Sequence, residues 1–524
     1  MKRRTWLGAA GLAGLFQPSG HAQAPAGPKP LFRDPIYDGA ADPTIVWNPL
    51  EKSWWIFYTN RRATAVGIGV SWCHGTDIGI ASSDDNGRTW RYRGITEGLK
   101  FEHGTNTFWA PEILWHDRVC HMYFSYVRGV PNDWSGERHI VHATSRNLWD
   151  WKVDRVLQLS SDYVIDACVE RMPAGQWRMW YKDERNHSHT YAADSRDLSN
   201  WEPVGPVITD VGHEGPNVFH WRGSWWMITD HWKGLGVYRS TDAEHWTRGP
   251  NILDDQPFGH HADVLAQGDR AFIFYFTHPE SNGPRTYLYG AELELKDGWI
   301  VCDRHRPSLD LKPADTVKIV LTGDSTVNDE GGWGTGFAAR FGPEVFVVNL
   351  AKNGRSSKSF RDEGLWMPIA SSRADYVLIQ FGHNDVPGKG ADRETDPETT
   401  YRANLARYVD EVRAAGAVPV LVTSIVRRNL TADGKVKPDS LVPYVAAVRK
   451  LAAEKNVALI DLYQLTLEQC NSLGPAACGE LGARLADGKI DNTHLGPKGK
   501  ETIGAMAAKE LVGLFPALTK LGRA

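Results

Sequence analysis

The sequence predicts a multidomain protein, in which an all-β five-bladed β-propeller is followed by an α/β domain with a parallel sheet flanked by helices. Aromatic-rich strands recur between residues 40 and 300, and apolar strands alternate with amphipathic helices after residue 315. A chain of 524 residues is also too long for one hydrophobic core. We therefore expect the propeller over residues 30–303, a linker over 304–314 and the second domain over 315–520.

The first 24 residues have the features of an export signal. Basic residues 2–4 precede an apolar run over 6–16, and Ala22-Gln23-Ala24 forms an A-x-A cleavage pattern. The arginine pair within this segment is also typical of a twin-arginine signal. The apolar run is too short to cross a bilayer. We expect residues 1–24 to be removed and the mature protein to be secreted or periplasmic.

Composition favours a carbohydrate partner. A net charge of -4 gives no reason to expect nucleic acid or an anionic membrane as a partner. The 22 tryptophans hint at a polysaccharide or oligosaccharide, because flat indole faces stack on sugar rings, although filling a β-rich core explains most of them. Export also places the chain where disulfides can form, and Cys470 and Cys478 are close enough in sequence to pair.

A repeat of five units organises the first half of the chain. The aromatic-rich strands are SWWIFYT (53–59), VCHMYFSYV (119–127), QWRMWYKD (176–183), SWWMITDHW (224–232) and RAFIFYFTH (270–278). A shorter apolar strand precedes each of them. Repeats of this length, built from short strands, are the signature of propeller blades, so five copies predict a five-bladed propeller.

One polar residue near the start of each first strand is expected to face a common central cavity. These residues are Asp42, Glu112, Asp166, Glu214 and His261. Each alone could be a cap for its own strand, but four carboxylates in one ring repel each other unless a cation or a function offsets the repulsion. A structural Ca²⁺ in the propeller centre is one such cation, and hydrolysis of a glycosidic bond is one such function, because it needs two carboxyl groups with separated pKa values.

These motifs resemble glycoside hydrolase family 43 over residues 35–303. The matching stretches are DPTIV at Asp42, WAPE at Glu112, IDA at Asp166, EGPNVF at Glu214 and GHHADV at His261. The resemblance implies an inverting exo-acting hydrolase with Asp42 as general base and Glu214 as general acid, while Asp166 orients that acid and tunes its pKa. The residues that it implies for substrate binding are Trp109, Glu112 and His261.

Three hypotheses stay open for the propeller, because a fold does not determine a function. In the first it is a glycosidase. In the second it is a non-catalytic module that binds glycan and delivers the second domain. In the third it is a scaffold at a protein interface. Within the first hypothesis, a xylan-directed arabinofuranosidase or xylosidase is the alternative to a pectin-directed enzyme.

The second half alternates strands and helices. The strands read VKIVLT (317–322), VFVVNLA (345–351), DYVLIQFG (375–382), VPVLVTSIV (418–426) and VALIDLY (457–463). Amphipathic runs at 401–414 and 442–454 separate them. Such alternation predicts a parallel sheet covered on both faces, with ligands bound at the carboxyl ends of the strands.

The predicted strand ends carry a complete set of groups for nucleophilic catalysis. Ser325 follows the first strand, Gly354 the second and Asn384 the third, and Asp491 and His494 lie near the C-terminus. Taken alone, each is a cap, a turn glycine, a buried amide or a surface histidine. Together they predict a Ser325 nucleophile, a His494 base and an Asp491 that orients it, with an oxyanion hole from the Ser325 and Gly354 N–H groups and the Asn384 amide.

The stretches GDST, GHND and DNTHL resemble the SGNH (GDSL-like) hydrolase family over residues 314–515. Their wording is most similar to rhamnogalacturonan acetylesterases of carbohydrate esterase family 12. This resemblance implies removal of acetyl groups from a pectic backbone without a required cofactor. The fourth strand ends in TSIVRR, which departs from the family pattern, so no substrate contact is assigned there. We expect an exported enzyme that joins an acetylesterase to a propeller glycosidase.

Overall fold

The computed structural model describes residues 29–280, 283–306 and 309–521, so the predicted signal segment over 1–24 lies outside the described residues. The first part contains five four-stranded antiparallel sheets, in which strands adjacent in sequence pair with each other. The first two sheets contain β1 (Ala40–Asn48), β2 (Ser53–Asn60), β3 (Asp77–Ser83), β4 (Arg91–Ile95), and β5 (Thr107–His116), β6 (Val119–Val127), β7 (Arg138–Ser145), β8 (Trp151–Val156).

The remaining three sheets repeat the same order. They contain β9 (Val164–Arg171), β10 (Trp177–Asp183), β11 (His189–Ser195), β12 (Glu202–Ile208); then β13 (Glu214–Trp221), β14 (Ser224–Asp230), β15 (Leu235–Ser240), β16 (Thr247–Arg248); and β17 (His260–Gln267), β18 (Arg270–Thr277), β19 (Tyr287–Lys296), β20 (Trp299–Cys302). The first strands β1, β5, β9, β13 and β17 lie side by side, and β17 returns to β1. This closed ring confirms the predicted five-bladed propeller.

The aromatic second strands form the core between blades, as their composition predicts. Trp55, Trp180 and Trp226 are each at most 1% exposed. Side chains of this size fill the wedge between two twisted sheets, so the blades pack without a separate helix layer. The ring therefore holds the ends of its innermost strands in one place, where a cavity opens.

The second part contains a five-stranded parallel sheet in the order β22-β21-β23-β24-β25. Its strands are β21 (Val317–Gly323), β22 (Val345–Asn349), β23 (Tyr376–Gln380), β24 (Val418–Val422) and β25 (Ala458–Ile460), and β26 (Gly482–Arg484) pairs with β27 (Ile490–Leu495) in a separate sheet. The helices are α1 (Gly334–Ala338), α2 (Ser359–Asp362), α3 (Met367–Ala370), α4 (Thr400–Ala414), α5 (Val442–Lys455), α6 (Leu462–Gly479) and α7 (Pro497–Leu514).

Alternate residues of the parallel strands enter two different apolar clusters. Val320 and Val377 pack with residues of α4 and α5, whereas Ile319 and Leu378 pack with residues of α1 and α7. The period of two along each strand therefore covers both faces of the sheet with helices. This arrangement confirms the predicted α/β domain. Among the described residues, no helix is long and apolar enough to cross a membrane.

Cys470 and Cys478 lie on α6 and are both free thiols. They are hydrogen-bonded to each other. This contact raises the pKa of Cys470 and lowers the pKa of Cys478 to about 7. The disulfide that the sequence allowed is therefore not formed in this structure, although the two thiols are neighbours.

Candidate active sites

Ser325, His494 and Asp491 form a hydrogen-bonded chain at the carboxyl edge of the parallel sheet. The Nε2 atom of His494 is 2.9 Å from the Oγ atom of Ser325, and its Nδ1 atom is 2.7 Å from Oδ2 of Asp491. The other carboxylate oxygen of Asp491 accepts the N–H groups of Thr493 and His494 at 2.7 and 2.9 Å. Burial alone would raise the pKa of Asp491, but these hydrogen bonds outweigh it and hold that pKa below its ordinary value.

The turn after β21 places the serine. Gly323 must be glycine, because a Cβ atom there would lie 2.2 Å from the carbonyl oxygen of Gln380. Asp324 is fully buried, and its Oδ1 accepts the backbone N–H and the hydroxyl of Thr326 at 2.9 and 2.7 Å. Gln380 donates to that same threonine hydroxyl at 2.7 Å. Ser325 therefore stands on a turn whose neighbours are locked by buried hydrogen bonds, with 8% of its own surface exposed.

Hydrogen bonds also join the loops that carry the two other predicted oxyanion groups. Asn328, near the serine, donates to the Oδ1 atom of Asn353 at 2.6 Å, which fixes the residue before Gly354. Gly354 has a φ of 73°, in the left-handed region that favours glycine. The amide of Asn384 donates to the carbonyl oxygen of Arg355 at 3.2 Å. The three loops thus meet at one edge of the sheet, as the sequence predicted.

Two contacts of this site were not predicted from the sequence. Gly331 packs against the catalytic histidine candidate, since a Cβ atom there would lie 3.0 Å from Cδ2 of His494 and 3.2 Å from the carbonyl oxygen of Ser325. Arg428 donates to carbonyl oxygens of the loop that carries Asp491 and His494. A glycine within a Gly-Gly-Trp stretch and a second arginine after a strand form no recognised motif, so the sequence alone gave little indication of either contact.

A cavity of about 920 Å³ opens at one end of the propeller ring. Five of the six predicted propeller residues line it, namely Asp42, Trp109, Asp166, Glu214 and His261. Its wall also contains the tryptophans Trp72, Trp134 and Trp232 and the cations Arg61, Arg138, Lys182 and Lys233. Glu112 is absent from this wall.

The expected equivalence of the five polar residues holds for Asp42, Asp166 and His261 but is wrong for Glu112 and Glu214, because each first strand contains a β-bulge and Glu214 directly precedes its own. The bulges begin at Asp42, Ala110, Asp166, Gly215 and His261, which all have positive φ values between 25° and 60°. Glu112 comes after its bulge, so it lies one layer deeper. Its carboxylate accepts the N–H of Val169 in the next blade at 2.9 Å. The corresponding Asp263 accepts the N–H of Ile45 in the same way, at 2.7 Å.

Neighbouring cations give the cavity carboxyl groups different protonation behaviour. Burial, aided by the charges of Glu214 and Asp42, raises the pKa of Asp166 to about 7 against the opposing charges of His261 and Lys182. Burial would also raise the pKa of Glu214, but the ammonium of Lys182, at 2.9 Å, lowers it to about 2. A general acid must hold a proton near working pH. This arrangement therefore favours protonation of Asp166 over protonation of Glu214.

Three further ion pairs lie along the cavity wall. Arg61 donates to both carboxylate oxygens of Asp42, at 3.1 and 3.4 Å. Lys182 also contacts Glu184 at 2.9 Å, and Glu184 in turn contacts Arg138 at 3.0 Å. Lys182 lies in the predicted strand over 176–183, whereas Arg61 and Arg138 lie outside the motifs that predicted the blades, so no local pattern indicated their contacts at the cavity.

The exposed aromatic surface of the cavity is not where it was expected. Trp109 is only 8% exposed, and its indole N–H donates to the carbonyl oxygen of Cys73 at 2.6 Å. Trp134 and Trp232 are more exposed, at 59% and 46%, although His74 contacts the ring of Trp134 and the Lys182 ammonium lies over the ring of Trp232. Trp232 has a φ of 61°, which is unusual for a bulky residue, and its N–H is held by Asp230 at 2.6 Å.

The donor set does not fit a Ca²⁺ ion held directly by side chains. Among the described residues, no group of three or more His, Cys, Asp or Glu side chains is placed to hold a metal ion. The carboxylates of Asp42 and Glu214 already face Arg61 and Lys182.

The parallel sheet flanked by helices and the serine site at its carboxyl edge are those of a hydrolase domain of the α/β class, and comparison with known proteins gives its family. The profile of the GDSL-like Lipase/Acylhydrolase family matches residues 320–502. Rhamnogalacturonan acetylesterase RhgT of Bacillus subtilis is 36% identical over 210 residues, which are 37% of this chain and 88% of that protein. Probable rhamnogalacturonan acetylesterase YesY of the same organism is 33% identical over 210 residues, 38% of this chain and 95% of that protein. Through its C-terminal domain, the chain belongs to the GDSL-like lipase/acylhydrolase family.

The propeller has structural neighbours of low identity. A thermostable family-43 glycoside hydrolase has 19% identity and a TM-score of 0.43, and the match covers 54% of this chain and 99% of that one. The GH43_1 enzyme from Xanthomonas citri, complexed with xylotriose, has 14% identity and a TM-score of 0.42, over 52% of this chain and 92% of that one. The five-bladed ring is established by the strand pairing of this chain itself.

Proposed function

We propose that this protein is an exported carbohydrate-active enzyme that joins a serine O-acetylesterase to a propeller glycoside hydrolase. The chain of hydrogen bonds from Ser325 through His494 to Asp491 carries the esterase half of the proposal. The two Bacillus subtilis relatives are named as rhamnogalacturonan acetylesterases, which supports acetylated pectin as the substrate. The export signal over residues 1–24 would bring the enzyme to the plant cell wall, either from outside the cell or from the periplasm.

The proposed esterase reaction follows the order of the hydrogen bonds. The Oγ atom of Ser325 attacks the acetyl carbonyl carbon while Nε2 of His494 takes the hydroxyl proton, and the Asp491 carboxylate stabilises the resulting imidazolium. The N–H groups of Ser325 and Gly354 and the amide of Asn384 would receive the negative oxygen of the tetrahedral intermediate. Its collapse breaks the ester bond, and His494 returns the proton to the departing sugar oxygen.

A second half-reaction completes the cycle. Water replaces the sugar, His494 takes a proton from it, and the hydroxide attacks the acetyl-serine carbonyl. A second tetrahedral intermediate collapses to acetate, and the proton on His494 goes back to the Oγ atom of Ser325. Each step uses the same base, so the proposal requires no metal and no organic cofactor.

Acetate release tests the esterase half. The wild-type protein should release acetate from acetylated pectin and from a chromogenic acetate ester, and Ser325→Ala should lower kcat by at least about 1,000-fold, because it removes the nucleophile. Ser371→Ala, at an exposed serine of the same domain, is the matched control and should keep wild-type activity. Residual activity in Ser325→Ala at the level of Ser371→Ala would refute the proposed nucleophile.

For the propeller, the support is divided between catalysis and binding. Asp42, Asp166 and Glu214 share one cavity, which favours a hydrolase. The ion pair between Lys182 and Glu214 favours a non-catalytic glycan-binding module instead, since it keeps the proposed acid ionised. We favour the hydrolase with Asp42 as base, on the ground that substrate entry can exchange ion-pair partners in a cavity with four cations.

A substrate screen separates these hypotheses. Release of reducing sugar from pectic oligosaccharides, arabinosides or xylosides by Ser325→Ala protein, lost again on adding Glu214→Gln, would support the hydrolase and name its sugar. Retardation of the protein in gels that contain pectin, without any sugar release, would support the binding module. Release from xylosides together with acetate release from acetylated xylan would favour the xylan-directed alternative. If no polysaccharide retards the protein and no sugar is released, the scaffold hypothesis remains.

A further inference from the structure

Arg427 and Arg428 end the stretch TSIVRR, to which the sequence assigned no role. Both follow β24, and each bonds to a loop that carries site residues. Arg427 donates through Nη2 to the carbonyl oxygen of His383 at 3.2 Å, within the GHND stretch. Arg428 donates through Nη2 to the carbonyl oxygens of Asp491 and His494, at 2.8 and 2.6 Å. Two consecutive residues therefore join the fourth strand to two separate parts of the serine site.

The strand that carries Asp491 and His494 lies outside the main sheet, so it lacks the support of neighbouring parallel strands. Among the described strands, this strand, β27, pairs with the short β26 alone. The backbone N–H of Arg428 also donates to the carbonyl oxygen of Asn492, at 2.7 Å. One residue therefore holds three of the four carbonyl groups between Asp491 and His494.

Burial strengthens this attachment. The side chain of Arg428 is only 4% exposed, and burial lowers the pKa of its guanidinium. Its Nη2 hydrogen bonds end on two carbonyl oxygens of β27 and not on a carboxylate. Removing a buried donor leaves its acceptors unpaired, so this strand would have to move for the carbonyl groups to reach water.

We propose that Arg428 is a positioning residue of the esterase, which holds residues 491–494 of β27 so that His494 stays within hydrogen-bonding distance of Ser325. The inference rests on the proposed esterase function and gives Arg428 no contact with substrate. Proton transfer depends steeply on geometry, and a displacement of about 1 Å lowers a rate by roughly 100-fold. Substrate binding depends on other groups, so loss of the Arg428 contacts should lower kcat and leave KM unchanged.

The test compares Arg428→Met and Arg428→Lys with Arg413→Met in the full-length protein. Arg413 is a matched control, because its Nη2 also donates to two carbonyl oxygens, those of Lys455 and Asn456, at 2.9 and 3.0 Å. Two readouts are needed: kcat and KM for a chromogenic acetate ester, and the rate at which a fluorophosphonate labels Ser325. The labelling rate reports the activation of the serine without any acyl transfer.

We expect kcat and the labelling rate of Arg428→Met to fall together by about 100-fold, with KM within about twofold of wild type. Arg428→Lys should fall less, because an ammonium can still reach one carbonyl group, and Arg413→Met should keep wild-type kcat. A folded Arg428→Lys and Arg428→Met pair with wild-type kcat would overturn the inference. So would an Arg428→Lys that does not fold, since the residue would then serve the fold. A wild-type protein that neither releases acetate nor is labelled would overturn the esterase function itself.

Discussion

Asp166 and Glu214 line the same cavity, yet their neighbours push the pKa values of the two carboxyl groups apart. Asp166 is 5% exposed, and burial raises its pKa to about 7. Glu214 contacts Lys182, and its pKa falls to about 2. Pairs of carboxyl groups separated in this way are typical of acid–base sites. The separation is the reverse of the one that the resemblance implied, because Lys182 faces the residue that was expected to carry the proton.

The Asp166→Asn variant tests this protonation state through stability. Folding raises the pKa of Asp166 from an ordinary 3.8 to about 7, so the folded protein binds a proton that the unfolded chain releases in this range. The protonated Asp166 carboxyl group therefore contributes fully to the free energy of unfolding below about pH 4, and this contribution is lost as the pH rises through about 7. An asparagine stays neutral, so the Tm of Asp166→Asn should rise relative to the Tm of wild type as the pH increases from 4 to 8.

Thermal unfolding at several pH values measures this gain. Asp392→Asn, at a side chain that is 77% exposed, is the control and should keep a constant Tm difference from wild type. If the Asp166→Asn difference were equally constant across the range, Asp166 would not be the proton carrier of the cavity.

Among the elements, the strands and helices were predictable and the bulges were not. The aromatic and β-branched residues of runs such as SWWIFYT and VKIVLT indicate buried strands, and the five-fold repeat then predicts the ring. A bulge inserts one residue without changing composition, so Glu112 looked equivalent to Asp42 although Ala110 occupies that place. Contacts between distant segments, such as Lys182 with Glu214, also leave no local pattern in the chain.

The serine site was more predictable than the propeller cavity for a physical reason. Its groups stand directly after strands of one parallel sheet, and the carboxyl ends of such strands meet at one edge by construction. The positions of Ser325 and Asn384 therefore followed from the strand assignments. Gly331 and Arg428 did not, because their roles depend on how close a loop comes to His494, and that distance is set by tertiary packing.

The loop between β21 and α1 is expected to tolerate no side chain at Gly331. A Cβ atom there would be 3.0 Å from the His494 ring, closer than packed atoms normally lie, so Gly331→Ala should push the imidazole away from Ser325. We expect kcat for the acetate ester to fall by about 10- to 100-fold while the Tm changes by only a few degrees.

Gly513→Ala is the matched substitution for this loop variant, because a Cβ atom at Gly513 in α7 would meet nothing within 4 Å. It should keep full activity and gain slightly in stability, since alanine favours a helix by up to about 1 kcal/mol over glycine. Equal kcat values for the two variants would show that the loop yields without disturbing the histidine.

In the whole molecule, the two domains are joined by more than a flexible connection. Lys318 at the start of the parallel sheet donates to the carbonyl oxygen of Leu50 in the propeller, and Trp47 donates to the hydroxyl of Thr316 at 3.0 Å. Prolines and charges in residues 304–314 predicted a linker. In the structure, Leu309 and Leu311 of this segment pack into the apolar cluster between the first and fifth blades.

Replacing Leu311 by alanine should therefore destabilise the propeller and spare the esterase. Leu311 is fully buried, and its N–H donates to the carbonyl oxygen of Asn86 at 2.9 Å. Loss of a buried leucine side chain costs about 2–5 kcal/mol. Because Trp54 belongs to the same cluster, urea unfolding followed by tryptophan fluorescence should show an earlier transition in Leu311→Ala. Before that transition, kcat for the acetate ester should stay within about twofold of wild type, since the serine site lies in the other domain. Leu485→Ala, at a leucine that is 48% exposed, should leave both measurements unchanged. An unfolding curve of Leu311→Ala that superimposes on that of Leu485→Ala would mean that the segment is a true linker, as its composition alone indicates.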